Sequence, residues 1–115
     1  MSIDLAVWKW NPRIKLPTDV VALHAGFDRG EAHPALMRFD VTAFEEALNG
    51  LYDRAGMKQA PWTYVVQDRG PDRPNWVRFT VDIAMVQLFP PRLVELACVH
   101  ELVVSDPYKN HIIGA

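Results

Sequence analysis

Four histidines and one cysteine are the side chains of this chain best suited to bind a metal: His24, His33, Cys98, His100 and His111. Structural zinc sites use closely spaced pairs of Cys and His, and many catalytic ones use His-Glu-x-x-His on a helix. Neither spacing occurs, and Cys98 and His100 are two positions apart on a predicted helix, so they point in different directions. Glu31 and His33 lie close in a predicted loop but form too small a ligand set. We therefore expect no metal and no other cofactor.

The sequence also gives little support for a nucleophilic or an acid–base catalytic site. Cys98 falls within an amphipathic helical pattern, where a free cysteine usually packs as a small core residue. Ser2 and Ser105 are the two serines, and neither lies in a G-x-S-x-G turn. Asp4, Asp82 and Asp106 fall at strand edges or ends, where two carboxylates could meet, although capping turns is the commoner role. The sequence predicts a protein that is not an enzyme.

Aromatic residues provide the strongest functional signal. Trp8 and Trp10 share one side of the first predicted strand, and Trp76 and Arg78 share the less apolar side of the third. If Val65 faces the core, Trp62 and Tyr64 join them. Trp, Tyr and Arg are enriched at binding hot spots, so an open face of this composition indicates an interaction surface. The alternative is that loops cover this face and the tryptophans form a second small core.

Hydrophobic periodicity predicts three helices, at positions 19–25, 41–55 and 90–101. Gly26 would end the first of them. Two caps compete for the second: Thr42 with Glu45 forms a capping-box pattern, whereas Asp40 would place an aromatic residue on either side as a hydrophobic staple. Two adjacent prolines begin the third, because proline fits the first helical turn.

Alternating patterns predict four strands, at positions 3–10, 62–67, 76–83 and 102–105. Positions 68–75 (DRGPDRPN) would join the middle two as a hairpin, positions 27–37 form a loop, and positions 108–115 form a loosely held tail. The order is β-α-α-β-β-α-β. We expect one α+β domain over positions 1–115, with an antiparallel sheet of about four strands and two or three helices on one face, close to the ferredoxin-like arrangement.

The composition restricts the possible partners and the compartment. The chain has 115 residues, a net charge of −2 and one cysteine. The charge disfavours nucleic-acid binding, which needs a basic surface. A single cysteine cannot form an internal disulfide, which fits a reducing compartment. Neither a signal peptide nor an apolar stretch of about 20 residues is present, so we expect a cytoplasmic protein that does not bind membranes.

Three segments resemble a group of small bacterial proteins whose genes often lie beside polymorphic toxin genes. They are DLAVWKW at positions 4–10, FDVTAFEEAL at positions 39–48 and ELACVHELVVSDP at positions 95–107. The resemblance spans nearly the whole chain in the same order. It implies an immunity protein that neutralises a toxin delivered by Rhs-type or type VI secretion systems in interbacterial competition. One departure is His100-Glu101-Leu102, which stands where His-Gly-Leu is common in the group.

Three hypotheses follow from these patterns. The first is an immunity protein that occludes a cognate protein toxin stoichiometrically, with the 68–75 loop entering the toxin or with acidic residues imitating phosphates. The second is a small ligand-binding domain or enzyme with a pocket near positions 27–37, using His24, Glu31 and His33. The third is a homodimer that pairs through the aromatic face. The predicted partner-binding residues are Trp8, Trp10, Tyr64, Asp68, Asp72, Trp76, Arg78 and Asp82.

Overall fold

A computed structural model describes residues 2–54, 62–82 and 89–114. In chain order its elements are β1 (Ser2–Trp10), α1 (Val20–Asp28), β2 (Leu36–Met37), α2 (Val41–Arg54), β3 (Trp62–Asp68), β4 (Asn75–Asp82), α3 (Phe89–Val99), β5 (Val103–Asp106) and β6 (His111–Ile113). The predicted α+β class is confirmed. The described sheet has six strands rather than four, because two short segments predicted as loop and tail form β2 and β6.

The strands form one antiparallel sheet in the order β3-β4-β1-β5-β6, with β2 pairing the end of β1. The first strand lies between β4 and β5, which is the split β-α-β order expected of a ferredoxin-like domain. Its pairing with β4 runs without a bulge from Ser2 opposite Asp82 to Trp8 opposite Trp76. This central strand fixes which side chains face each side of the sheet.

The first face of the sheet carries the larger core. Alternate residues of β1, β4 and β5 point towards α2 and α3, and Phe44, Leu48 and Leu93 from these helices pack on them. Burying this apolar face stabilises the fold in proportion to the area removed from water, at about 25 cal/mol per Å². This is the arrangement that the sequence predicts for the second and third helices.

The second face is covered by α1, so two of the three helices share one face and the other face is not left open. Leu23 and Phe27 of α1 pack on Ala6, Trp8 and the neighbouring strands. Because both sides of β1 are apolar, both must be covered, and a helix on one face alone would leave the tryptophans in water. The domain is therefore a sheet between two helical layers.

The first helix is longer than predicted because Gly26 does not end it. Phe27 continues the buried stripe begun by Val20, Leu23 and His24, and this packing outweighs the poor helical propensity of one glycine. Asp19 caps the N-terminus by accepting a hydrogen bond from the Ala22 amide at 3.0 Å. The side chain of Asn110, in the turn before β6, accepts the Val20 amide at 3.0 Å.

The structure shows which of the two candidate residues caps the N-terminus of the second helix, α2. Asp40 accepts the Ala43 amide at 3.1 Å, so it is the N-cap. The rings of Phe39 and Phe44 lie 6.5 Å apart on either side of it, as a hydrophobic staple requires. The predicted end of this helix, at position 55, lies outside the described residues.

Helices α1 and α3 end in the same hydrogen-bond pattern but with different residues at the left-handed position. In α1, Gly30 takes a φ of 72° and the Glu31 amide bonds the Gly26 carbonyl at 2.9 Å. In α3, Glu101 takes a φ of 59° and the Leu102 amide bonds the Ala97 carbonyl at 2.8 Å. Both are Schellman motifs, in which glycine is the favoured residue.

Replacing Glu101 by Gly is therefore expected to raise the free energy of unfolding by about 0.5–1 kcal/mol. The left-handed conformation strains a residue with a Cβ, and glycine removes that strain at some cost in unfolded-chain entropy. The ion pair that Glu101 loses, with Lys9 at 3.9 Å, is exposed and contributes little. Urea unfolding measures the change, and Gly30→Ala is the matched control, expected to destabilise. A loss of stability in Glu101→Gly would contradict the prediction.

Candidate functional site

A buried hydrogen-bond chain joins three elements on the second face. The Trp8 indole donates to the Ser105 hydroxyl at 3.1 Å, and Ser105 Oγ lies 2.7 Å from His24 Nε2. Trp8 and Ser105 are both 0% exposed. The chain ties β1, β5 and α1 together at the centre of the second core.

Ser105 and His24 have the separation of a nucleophile and its base, but the surroundings do not suit catalysis. A reacting serine must meet a substrate, whereas Ser105 is fully buried and its oxygen already accepts the Trp8 proton. The pair therefore acts structurally. Local sequence patterns do not reveal this contact between Ser105 and His24, because the two residues are 81 positions apart. The only available signal was that His24 falls on the buried stripe of α1.

Burial sets the protonation state of His24. Desolvation is the main cause that lowers its pKa from 6.5 to about 4, and the positive charge of Arg78 acts in the same direction. The carboxylates of Asp4, Asp28 and Asp106 oppose the shift without cancelling it. His24 Nδ1 is buried and has no hydrogen-bond partner among the described residues. The histidine is consequently neutral at pH 7.

The aromatic face is a second core and not an open surface. Trp76 is 1% exposed and stacks on Phe27 of α1 with ring centroids 4.8 Å apart. Trp10 is partly buried and donates to the Ile14 carbonyl at 2.9 Å. Of the two interpretations of the tryptophans, the structure supports the small core, because α1 covers them. Neither Trp8 nor Trp76 has surface available to a partner.

Tyr64 lies on the opposite face from the one predicted. It packs against Phe79 at a centroid distance of 5.6 Å, and its hydroxyl donates to Glu45 of α2 at 3.0 Å. Val65, on the other side of β3, is 58% exposed. The reason is the register of β3, which sets Tyr64 opposite the core residue Phe79.

A strip of the second face beside α1 remains uncovered. It is a shallow depression of about 240 Å³ on β3, β4 and β1, lined mostly by polar groups. Arg78 reaches from it to Asp28 at the end of α1 and forms an ion pair. Asp4 accepts the Thr80 hydroxyl at 3.2 Å. The strip is small, and its charged residues Arg78 and Asp4 already have partners.

The loop between β3 and β4 is held by one arginine. Arg38, just after β2, donates to both carboxylate oxygens of Asp68 at 2.8 Å. The same guanidinium donates to the carbonyls of Gly70 at 2.7 Å and Arg73 at 3.2 Å. A planar guanidinium suits this forked recognition. Four acceptors from residues 68–73 thus converge on a single side chain.

These bonds change the electrostatics of the loop. The hydrogen bonds from Arg38 lower the pKa of Asp68 to about 2, with a further contribution from the Gly70 amide. Asp68 is therefore ionised but neutralised by its partner. Asp72 and Arg73 are exposed at the tip of the loop. We call residues 68–75, held by Arg38, the anchored loop.

The anchored loop also contacts the end of α1. The guanidinium of Arg69 occupies the space over Gly30, where a side-chain Cβ would lie 1.8 Å from its nitrogen. At the base of the loop the buried Asn75 amide group exchanges two hydrogen bonds with the Phe39 backbone, at 3.0 and 3.1 Å. The loop is thus supported on two sides although its tip is exposed.

A groove of about 700 Å³ lies where the sequence predicts a possible ligand pocket. Lys15, Arg29, Glu31 and His33 line it together with apolar residues of α1 and the preceding loop. Arg29 and Glu31 are paired at 3.0 Å across an exposed surface. His24, the third residue proposed for this pocket, is not among the lining residues because it faces the second core. The groove is broad and open.

The remaining candidate residues, Asp106, Asp82 and Cys98, lie on three different elements, β5, β4 and α3. Asp106 is buried and accepts the Tyr108 and Lys109 amides at 2.9 and 3.3 Å, so it caps the turn before β6. Asp82 pairs with Ser2 in the register of β1 and β4, and its side chain lies outside the described residues. Cys98 is exposed rather than part of the core. Asp4 and Asp106 each have a hydrogen-bond partner of their own, in Thr80 and in the Tyr108 amide.

Within residues 2–54, 62–82 and 89–114 no cluster of three metal-binding side chains occurs, and no helix has the length and apolar character to cross a membrane. Comparison of the chain with protein-family models, curated proteins and solved structures found no match.

Proposed function

We propose that this chain is an immunity protein that binds a cognate antibacterial protein toxin and neutralises it by stoichiometric occlusion in the cytoplasm. The observation that carries the proposal is the anchored loop: an exposed tip on a backbone fixed by Arg38, Asp68 and Asn75. The sequence resemblance to immunity proteins supplies the class of partner.

A fixed, exposed loop is well suited to inhibition. Ordering a flexible loop on binding costs about 0.5–1.5 kcal/mol for each immobilised side chain, in addition to the backbone entropy. Arg38 holds the backbone of residues 68–73 in the free protein, so much of this cost is already met in folding. The tip can enter a cleft of the toxin with little rearrangement.

The charge of the loop favours insertion over imitation of nucleic acid. Asp68 is neutralised by Arg38, which leaves Asp72 as the exposed acid, alongside the cations of Arg69 and Arg73. A phosphate mimic needs an excess of negative charge, whereas this tip carries both signs. We infer a toxin whose cleft presents carboxylates as well as a basic group.

The resemblance implies that a neighbouring gene encodes the toxin, and co-expression with such a toxin is the direct test. Cells that produce both proteins are expected to survive, and the purified proteins are expected to form a complex of one to one. Cell death despite abundant, folded immunity protein would overturn the proposal.

Loop variants then locate the contact. Arg38→Ala is expected to free the loop, increase amide hydrogen exchange at Gly70, Asp72 and Arg73, and weaken toxin binding by about tenfold or more. Asp72→Ala with Arg73→Ala should weaken binding without changing exchange, because these side chains do not anchor the backbone. Arg92→Ala removes an exposed arginine of α3 and serves as the matched control. Unchanged toxin affinity in both loop variants would exclude the loop as the contact.

A further inference from the structure

Strand β3 forms one edge of the sheet. In the part of the chain that the structure describes, its seven residues pair with β4 alone, in a continuous register from Trp62 opposite Val81 to Asp68 opposite Asn75. Its outer row of backbone amides and carbonyls is therefore not used within the described sheet. Such an edge is a template for another strand.

Folded proteins usually protect an edge of this length. The common devices are a lysine or proline in the strand, a bulge, or a charged side chain on the exposed face. Positions 62–67 (WTYVVQ) contain neither a charge nor a proline, and the register shows no bulge. On the exposed face Val65 is 58% exposed and is flanked by Thr63 and Gln67. The opposite edge, β6, has only three residues.

The sequence of β3 is complementary to itself about its centre. Antiparallel pairing of two copies with a two-fold axis at Val65 sets Val65 against its own copy and Thr63 against Gln67. On the helical side it sets Tyr64 against Val66, and both already pack against the first core. Asp68, the one charged residue of the strand, falls opposite Trp62, so like charges do not meet. An isologous interface requires this kind of self-matching.

We propose that two copies of this chain associate by antiparallel pairing of β3 with β3, centred on Val65, to form one continuous sheet. This differs from dimerisation through the aromatic face, which α1 excludes. The contact is smaller than a standard interface of about 1,600 Å², so dissociation constants of about 10–100 μM are expected. The toxin is not required for it.

Sedimentation velocity of the full chain from about 1 μM to about 500 μM tests the association. The wild-type protein is expected to shift from monomer to dimer, and Val65→Lys, which sets two cations against each other at the two-fold axis, should remain monomeric. Val21→Lys is the matched control, because Val21 is also 58% exposed but lies on α1. It should dimerise as the wild type does.

Charge complementation tests the register. Val65→Lys and Val65→Glu should each be monomeric, whereas their mixture should form a one-to-one dimer, because position 65 faces itself. Thermal unfolding of each variant near the wild-type temperature establishes that the monomers are folded. A wild type that stays monomeric, a Val65→Lys that dimerises normally, or folded variants that do not associate when mixed would each overturn the proposal.

Discussion

Replacing Trp76 by Ala is expected to lower the free energy of unfolding by about 3–5 kcal/mol, which is a large part of the stability of a small domain. Trp76 is buried beneath α1 and stacks on Phe27. Its removal leaves a cavity that the β1–β4 pair cannot close. Trp8→Ala should cost a similar amount and also leave Ser105 without its donor. Trp10→Ala, at a partly exposed position, should cost about 1 kcal/mol.

Phenylalanine variants separate packing from hydrogen bonding at these two tryptophans. The Trp76 indole nitrogen is buried without a partner among the described residues, so Trp76→Phe loses volume but also removes an unsatisfied donor. Trp8→Phe loses the hydrogen bond that the Trp8 indole donates to Ser105. Urea unfolding should therefore rank Trp8→Phe as the more destabilised. If Trp76→Ala left stability unchanged and abolished toxin binding, the assignment of Trp76 to the second core would be wrong.

Acidification from pH 6.5 to pH 4 is expected to lower the free energy of unfolding by about 2–3 kcal/mol through His24. Burial lowers the pKa of His24 to about 4 in the folded protein, against 6.5 in the unfolded chain. Between these values the unfolded chain binds more protons, so stability falls as the pH falls. Below pH 4 both states carry the proton and this contribution becomes constant.

The experiment compares urea unfolding across this pH range in wild type and in His24→Gln. The variant should lose the His24-dependent slope, whereas His111→Gln, at an exposed position, should retain it. Asp68 does not confuse the comparison, because its pKa of about 2 means that its stabilising bonds to Arg38 are lost mainly below pH 4. Identical slopes in wild type and His24→Gln would show that His24 is not buried in the neutral form.

The two cores have different consequences for function. The first core resembles that of any sheet packed against two helices. The second core uses Trp8, Trp76 and Phe27, residue types that often bind partners, to hold α1 in place. Arg78, beside this core, pairs with Asp28 and restrains the same helix. Among the described residues, the tip of the anchored loop, the groove beside α1 and the outer edge of β3 remain exposed.

Local patterns in the sequence determined much of the secondary structure and the fold class of this protein. Alternation in β1 and β4, the apolar stripe of α2 and the proline start of α3 were sufficient for the α+β class. These features are encoded by neighbours along the chain, through caps, breakers and periods of 2 or 3.6 residues. The sequence also placed Trp8 and Trp10 on the same side of β1, and both pack in the second core.

Only the tertiary structure decided whether the aromatic side of β1 meets a partner or the chain itself. That outcome depends on α1 continuing through Gly26 to bury Phe27, and on contacts such as His24 with Ser105 and Arg38 with Asp68 that join residues 81 and 30 positions apart. Periodicity shows that a side chain must be buried, but it does not show by which segment, because long-range packing depends on the sum of many weak contacts. In the structure, α1 covers the tryptophan side of β1, whereas the tip of the anchored loop is exposed.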